Sequence, residues 1–201
     1  MRPSFLVGFA LIAFGAGISA ATAQTHDMDS MQYSPSSVSG RAQAGGFFGL
    51  FGSSNDVSRT TVMFEGKHKP GTIVINTAER RLYYVNGDGT ALRYGIGVGR
   101  DGFTWKGVKT VTMKREWPDW TPPPQMLKRR PDLPRHMVGG VDNPLGARAM
   151  YLGSTLYRIH GSNEPETIGT AVSSGCFRMT NEDVVDLYNR TRIGAKVIVL
   201  R

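Results

Sequence analysis

The run Ser173-Ser174-Gly175-Cys176-Phe177-Arg178-Met179 contains the single cysteine of the 201-residue chain. One cysteine makes no intramolecular disulfide, so it is a buried apolar residue, half of an intermolecular bridge, or a nucleophile. Gly175 permits a tight turn immediately before the sulfur, and the residues after it lead toward a capped helix start. Unpaired backbone N–H groups in such a turn can hold the oxyanion of a tetrahedral intermediate, and the positive end of a helix favours a thiolate. Arg178 adds positive charge; it is either a surface ion-pair residue or part of the site. A cysteine nucleophile needs a base. Of the four histidines, His26 lies in a Ser/Gly/Gln-rich stretch, His68 sits between Lys67 and Lys69, and His136 lies in an Arg/Pro-rich segment. His160 ends the run Leu156-Tyr157-Arg158-Ile159, is followed by Gly161, and precedes Cys176 by 16 residues. A strand-end histidine alone reads as structural, but with a glycine turn and set against a Gly-Cys-x-Arg turn it reads as the base of a cysteine nucleophile. No His or Cys pair has metal-ligand spacing, so neither a metal nor a cofactor is expected. Glu164 and Glu166 flank Pro165 in a polar loop and read as solvated, with two-carboxylate glycosidase chemistry a minor alternative.

The elements that must position these residues read as mostly β. Ile73-Val74-Ile75 and Leu82-Tyr83-Tyr84-Val85 form two strands with a turn at residues 77–80. Asn86-Gly87-Asp88-Gly89 is a second turn, after which a strand broken by Gly95, Gly97 and Gly99 continues. Another strand follows from Gly107 to Trp117, and short ones at 149–152 and 156–159. Between them, 117–146 is an irregular segment full of proline and glycine, long enough to be a lid or a binding wall. After Cys176, Thr180 with Asp183 three residues on has the form of a capping box, and Val184, Leu187, Tyr188 and Thr191 fall on one helical face. The last apolar run, 195–200, closes the chain as a strand.

The ends and the composition narrow the class. Residues 1–23 have the form of a signal peptide: Arg2, an uncharged apolar stretch from Phe5 to Ile18, and a small-x-small Ala21-Thr22-Ala23 site. An uncleaved anchor is the alternative; no second apolar run is long enough to span a membrane. Residues 24–69 read as a flexible tether, with the apolar Gly46–Gly52 segment as an exception of open role, and 70–201 as the one folded domain. The net charge of +8 suits polyanionic surroundings such as a cell wall, anionic headgroups or envelope polysaccharide. Export, and the absence of a basic block interleaved with aromatics, argue against nucleic acid as partner.

With these residues in view, the sequence from Ile159 to Tyr188 resembles the catalytic domain of the L,D-transpeptidases (the YkuD-like family) of bacterial cell-wall enzymes. The positions that carry the resemblance are His160-Gly161, Pro165, Ile168-Gly169, Ser173, Gly175-Cys176, Arg178-Met179, Asn181 and Asp183, with supporting segments at 94–107 and 143–153. The family often has histidine directly before Gly-Cys; here that position is Ser174, which bears on substrate contact and on tuning of the thiol. The resemblance implies a β-sandwich or barrel-like domain with one or two short helices. It implies Cys176 as nucleophile, His160 as base, the Gly161 carbonyl as the group that orients the imidazole, and the backbone N–H groups of Gly175 and Cys176 as the oxyanion hole. Arg178, Ser174 and Tyr151 are then candidates for substrate contact, with 117–146 as a cleft wall. The implied substrates are peptidoglycan stem peptides in the periplasm. The implied products are 3→3 cross-links, or outer-membrane proteins attached to the wall. A hydrolase using water on the same scaffold, and a non-catalytic wall-binding module with a buried cysteine, are the competing readings.

Overall fold

The computed structural model describes residues 57–201. The expected signal segment, residues 24–56 of the expected tether, and the Gly46–Gly52 segment lie outside the described residues. The described chain is mainly β, as expected. Strand β1 spans Thr60–Met63, β2 Ile73–Asn76, β3 Arg81–Val85, β4 Thr90–Gly95, β5 Val98–Gly99 and β6 Gly107–Glu116. After helix α1 (Pro124–Arg129) come β7 Arg148–Leu152, β8 Arg158–His160, β9 Ala171–Ser173, β10 Phe177–Arg178, helix α2 Asn181–Arg190 and β11 Lys196–Leu200.

Nine strands form one hydrogen-bonded order, β1-β4-β3-β2-β11-β6-β7-β8-β10, while β5 and β9 pair separately and in parallel. The two expected hairpins are present. Asn76 closes the first by accepting from Glu79 N–H at 3.1 Å, and Arg80 takes φ 56° at its end. The ten-residue β6 is shared by two halves of the sheet. Its first residues pair with β11 and its last with β7, with a register shift between Val111 and Met113. Such an irregularity bends a strand and strengthens its twist, so β6 can carry pairing from one half to the other. Gly97 then bridges back to Arg178, with both backbone bonds at 2.9 Å, so the chain leaving β4 meets the far edge strand β10.

The core fills the space so enclosed: Ile73, Ile75, Leu82, Tyr94, Val111, Met150, Leu152, Ile159, Phe177 and Met179 are buried, together with Val184 and Leu187 from α2. Helix α2 starts where the capping residues predict, since Thr180 accepts from Asp183 N–H at 3.1 Å.

One expectation needs correction. The tether was expected to run to residue 69, but Thr60–Met63 is a strand antiparallel to β4. Arg59 reaches Glu182, Asp183 and Asp186 on α2 at 3.7, 3.8 and 3.3 Å. This segment lacks the apolar alternation that marks a strand in sequence. The open edge of β4 and the acidic first turns of α2 hold it.

Candidate active site

The site is built on the last strand pair. β10 runs parallel to β8, with Phe177 opposite Ile159 and Arg178 opposite His160. Phe177 and Ile159 point into the core, at 1% and 0% exposure. Alternation therefore turns His160 and Arg178 to the other face, and carried back one residue it places Cys176 and Arg158 there too. β7 extends this face, since Tyr151 pairs with Arg158 and Ala149 with His160. Strand pairing thus brings together Cys176, His160, Arg178 and Tyr151 of the expected set. It adds Arg158, which sequence reading does not single out; the signal for it is its place two residues before His160 on one strand.

His160 is buried, and its Nδ1 lies 2.6 Å from the Gly161 carbonyl oxygen. A carbonyl accepts, so Nδ1 carries the proton and Nε2 is left as the basic nitrogen. Burial lowers the imidazole pKa to about 3; the Gly161 bond opposes this, and the charges of Arg178 and Arg158 reinforce it. Gly161 is required for a second reason. A Cβ there would lie 2.3 Å from Asn181 Oδ1, the atom that accepts from Ala147 N–H at 2.9 Å. The backbone after His160 is therefore pressed against the first residue of α2.

The cysteine turn is equally confined. Gly175 has φ +107°, and a Cβ there would stand 2.6 Å from the Tyr157 ring. Trp105 stacks on Tyr157 with centroids 4.6 Å apart and donates from Nε1 to Gly175 O at 2.9 Å. Ser173 Oγ donates to Cys176 O at 2.6 Å and accepts from Gly175 N–H at 3.1 Å. Gly175 N–H, expected in the oxyanion hole, is thus engaged by Ser173. Cys176 N–H, the other expected donor, has no acceptor among the described residues.

Cys176 is half-buried, and its thiol donates to Leu156 O at 3.6 Å rather than to His160. Burial raises its pKa, and contacts with Arg158, then the charge of Arg178, pull the other way. The helix start does not adjoin the sulfur as expected, because β10 separates Cys176 from the cap at Thr180. Arg178 donates from Nη1 to Glu164 Oε2 at 2.7 Å, so Glu164, exposed as expected, is also ion-paired with Arg178. Tyr151 lies under the Arg158 guanidinium, 4.9 Å from ring centroid to Cζ. Ser174 is half-buried and its hydroxyl has no partner among the described residues. The long segment 117–146 touches both shoulders of the site. Arg129 lies 5.1 Å over the Phe103 ring, beside the Gly175 turn, and Asp142 O accepts from Asn163 Nδ2 at 3.0 Å.

The arrangement offers a thiol, a neutral imidazole of fixed tautomer, a free backbone N–H and two guanidinium groups, which is equipment for acyl transfer. Comparison with known proteins agrees with it. The family model of the YkuD L,D-transpeptidase catalytic domain matches residues 70–199. The Escherichia coli protein named probable L,D-transpeptidase ErfK/SrfK is 40% identical over 137 residues, which is 64% of this chain and 43% of that protein. A Fuscovulum blasticum protein named as an L,D-transpeptidase is 35% identical over 140 residues, 68% of this chain and 72% of that protein. The chain thus spans less than half the length of the Escherichia coli relative. Among solved structures, an L,D-transpeptidase from Mycobacterium smegmatis superposes with TM-score 0.53 at 15% identity, covering 65% of this chain and 58% of that one. L,D-transpeptidase 3 from Mycobacterium tuberculosis gives 0.52 at 18%, covering 65% and 60%. At such identities these two structures speak for the fold.

Proposed function

The chain belongs to the YkuD family of L,D-transpeptidase catalytic domains, and from that premise we propose that Cys176 and His160 carry out a two-step acyl transfer on peptidoglycan stem peptides. The observation that supports this most is the 2.6 Å contact of His160 Nδ1 with Gly161 O, on the face that Cys176 shares. It leaves Nε2 unprotonated and able to receive the thiol proton, the orienting task a carboxylate performs in other triads.

In the first step the thiol leaves Leu156 O and gives its proton to His160 Nε2. Sγ then attacks the carbonyl of the third stem residue, diaminopimelate in the stems expected here. The carbonyl oxygen becomes an oxyanion held by Cys176 N–H. The C–N bond breaks, and the imidazolium returns the proton to the departing amine, so the terminal D-alanine leaves and a thioester remains. In the second step an acceptor amine attacks the thioester, loses a proton to His160, and releases the thiol. Diaminopimelate of another stem as acceptor gives a 3→3 cross-link; an amine of an outer-membrane protein gives a covalent attachment. The leader-like sequence of residues 1–23 supports a periplasmic setting for this chemistry. No helix among the described residues is long and apolar enough to cross a membrane.

Intact-mass measurement after exposure to meropenem tests the nucleophile. A single carbapenem adduct is expected on the wild type and none on Cys176→Ala. An equal adduct on both would sink the assignment. His160→Ala is expected to slow acylation by about 10²- to 10⁴-fold with the fold intact. Muropeptide and wall-bound protein analysis of cells with and without the enzyme identifies the acceptor.

A further inference from the structure

Arg158 is a cation facing the reacting groups with no anion to match it. Arg178 has Glu164, whereas Arg158 has no carboxylate partner among the described residues. Its Nε is buried without an acceptor. Two other arginines share that feature, but Arg148 is satisfied through Glu116 at 3.0 Å and Ala147 O at 2.8 Å, and Arg93 belongs to β4, away from the β8–β10 pair. Arg158 is also held in plane: it pairs across the sheet with Tyr151, whose ring lies beneath the guanidinium. A flat guanidinium held on a ring beside the cysteine suits a carboxylate, which can accept from its terminal N–H groups in a paired, charge-assisted contact that a neutral peptide carbonyl does not match.

We propose that Arg158 binds the free carboxylate of the residue that the reaction expels, and thereby selects donor stems that end directly after the scissile bond. This rests on the reading of Cys176 and His160 as the acyl-transfer pair. In such a stem only the amide nitrogen and one Cα separate the attacked carbonyl carbon from the terminal carboxylate, a distance of about 4 Å. A stem one residue longer carries its carboxylate about 3.5 Å further away. A guanidinium that contacts the cysteine can meet the first and not the second. The same contact assists the chemistry. Both arginines disfavour a protonated His160; Glu164 already offsets Arg178, and a bound carboxylate would offset Arg158. Donor binding would then make the imidazole more basic when it must accept the thiol proton.

The test compares single-turnover acyl-enzyme formation, read by intact mass, from a tetrapeptide donor with a free C-terminal carboxylate and from the same donor as its C-terminal amide. The wild type is expected to react about 10- to 100-fold faster with the acid, the range of a charge-assisted pair. Arg158→Gln is expected to slow the acid by that factor and the amide by much less, so that the two donors converge; Arg158→Lys should keep part of the preference. Equal wild-type rates on acid and amide would overturn the carboxylate assignment while leaving the nucleophile standing. So would an Arg158→Gln effect of the same size on both donors in a folded variant, because that marks thiol tuning. No acyl-enzyme from either donor on the wild type removes the acyl-transfer reading and this proposal together.

Discussion

His160 and Cys176 rest as a neutral imidazole and a protonated thiol, because burial acts on both against charge. This has a consequence for stability. The imidazole titrates at 6.5 in the unfolded chain and at about 3 in the folded one. Below pH 6.5 the unfolded chain therefore takes up a proton that the folded chain refuses. The contribution is complete above pH 6.5 and is lost as pH falls toward 3, at about 1.4 kcal/mol per pH unit. Urea unfolding of the wild type should weaken by about 2 kcal/mol more between pH 7 and pH 5 than that of His160→Asn, which lacks the titration. Identical pH slopes would show that the imidazole is not buried in neutral form. For Cys176 the sign is reversed in pH. Its thiol stays protonated above the ordinary 9.0, so its contribution is complete below pH 9 and lost as pH rises. Alkylation by iodoacetamide should accordingly show an apparent pKa above 9.0. At this scale the sequence was readable where chemistry is tied to residue type. A lone thiol and a strand-end His-Gly stand out by themselves. Arg158 does not, because its meaning comes from register across β7, β8 and β10 and from the lack of a carboxylate partner.

Two short elements hold the site, and both depend on close approach. β10 is only two residues long, yet it is fixed on one side by β8 and on the other by the Gly97 bridge. The β8 exit is fixed by Gly161 against Asn181, which joins the histidine to the first turn of α2. Gly161→Ala should cost about 1–3 kcal/mol, as overpacking does. If the contact with Asn181 is the cause, Asn181→Ala in the same chain should recover part of that loss. Denaturant midpoints of the four chains in this double-mutant cycle measure the coupling, and strict additivity would rule the contact out as the cause. The β2–β3 hairpin and α2 were legible beforehand, because local patterns specify them: apolar runs around a turn, and a cap ahead of a 3.6-residue period. β10 was hidden because a two-residue strand has no period, and its parallel partner lies 18 residues back in sequence. The separation of Cys176 from the α2 start follows from that hidden strand.

Across the whole described molecule, the sheet places its two edges in different roles. β10 carries the site, while β1 sits at the other end of the strand order. β1 is mostly exposed and adds little apolar burial. Its attachment is polar: ladder bonds to β4 and the reach of Arg59 to Glu182, Asp183 and Asp186. Arg59 is partly exposed, so each of its ion pairs is worth no more than about 1 kcal/mol. A chain beginning at residue 65 should therefore fold, with stability lower by about 1–3 kcal/mol from the lost pairs and ladder bonds. The meropenem adduct should still form on Cys176, since the residues that hold the thiol and imidazole lie between 97 and 181. One connection runs against complete independence. Val57 packs where a Cβ on Gly169 would lie 3.1 Å from it, and Gly169 follows the segment that pairs Glu164 with Arg178. A shortened chain that folds but forms no adduct would show that the strand edge supports the site through Gly169. A shortened chain that folds and reacts at the wild-type rate would show that the segment before the matched domain serves stability alone.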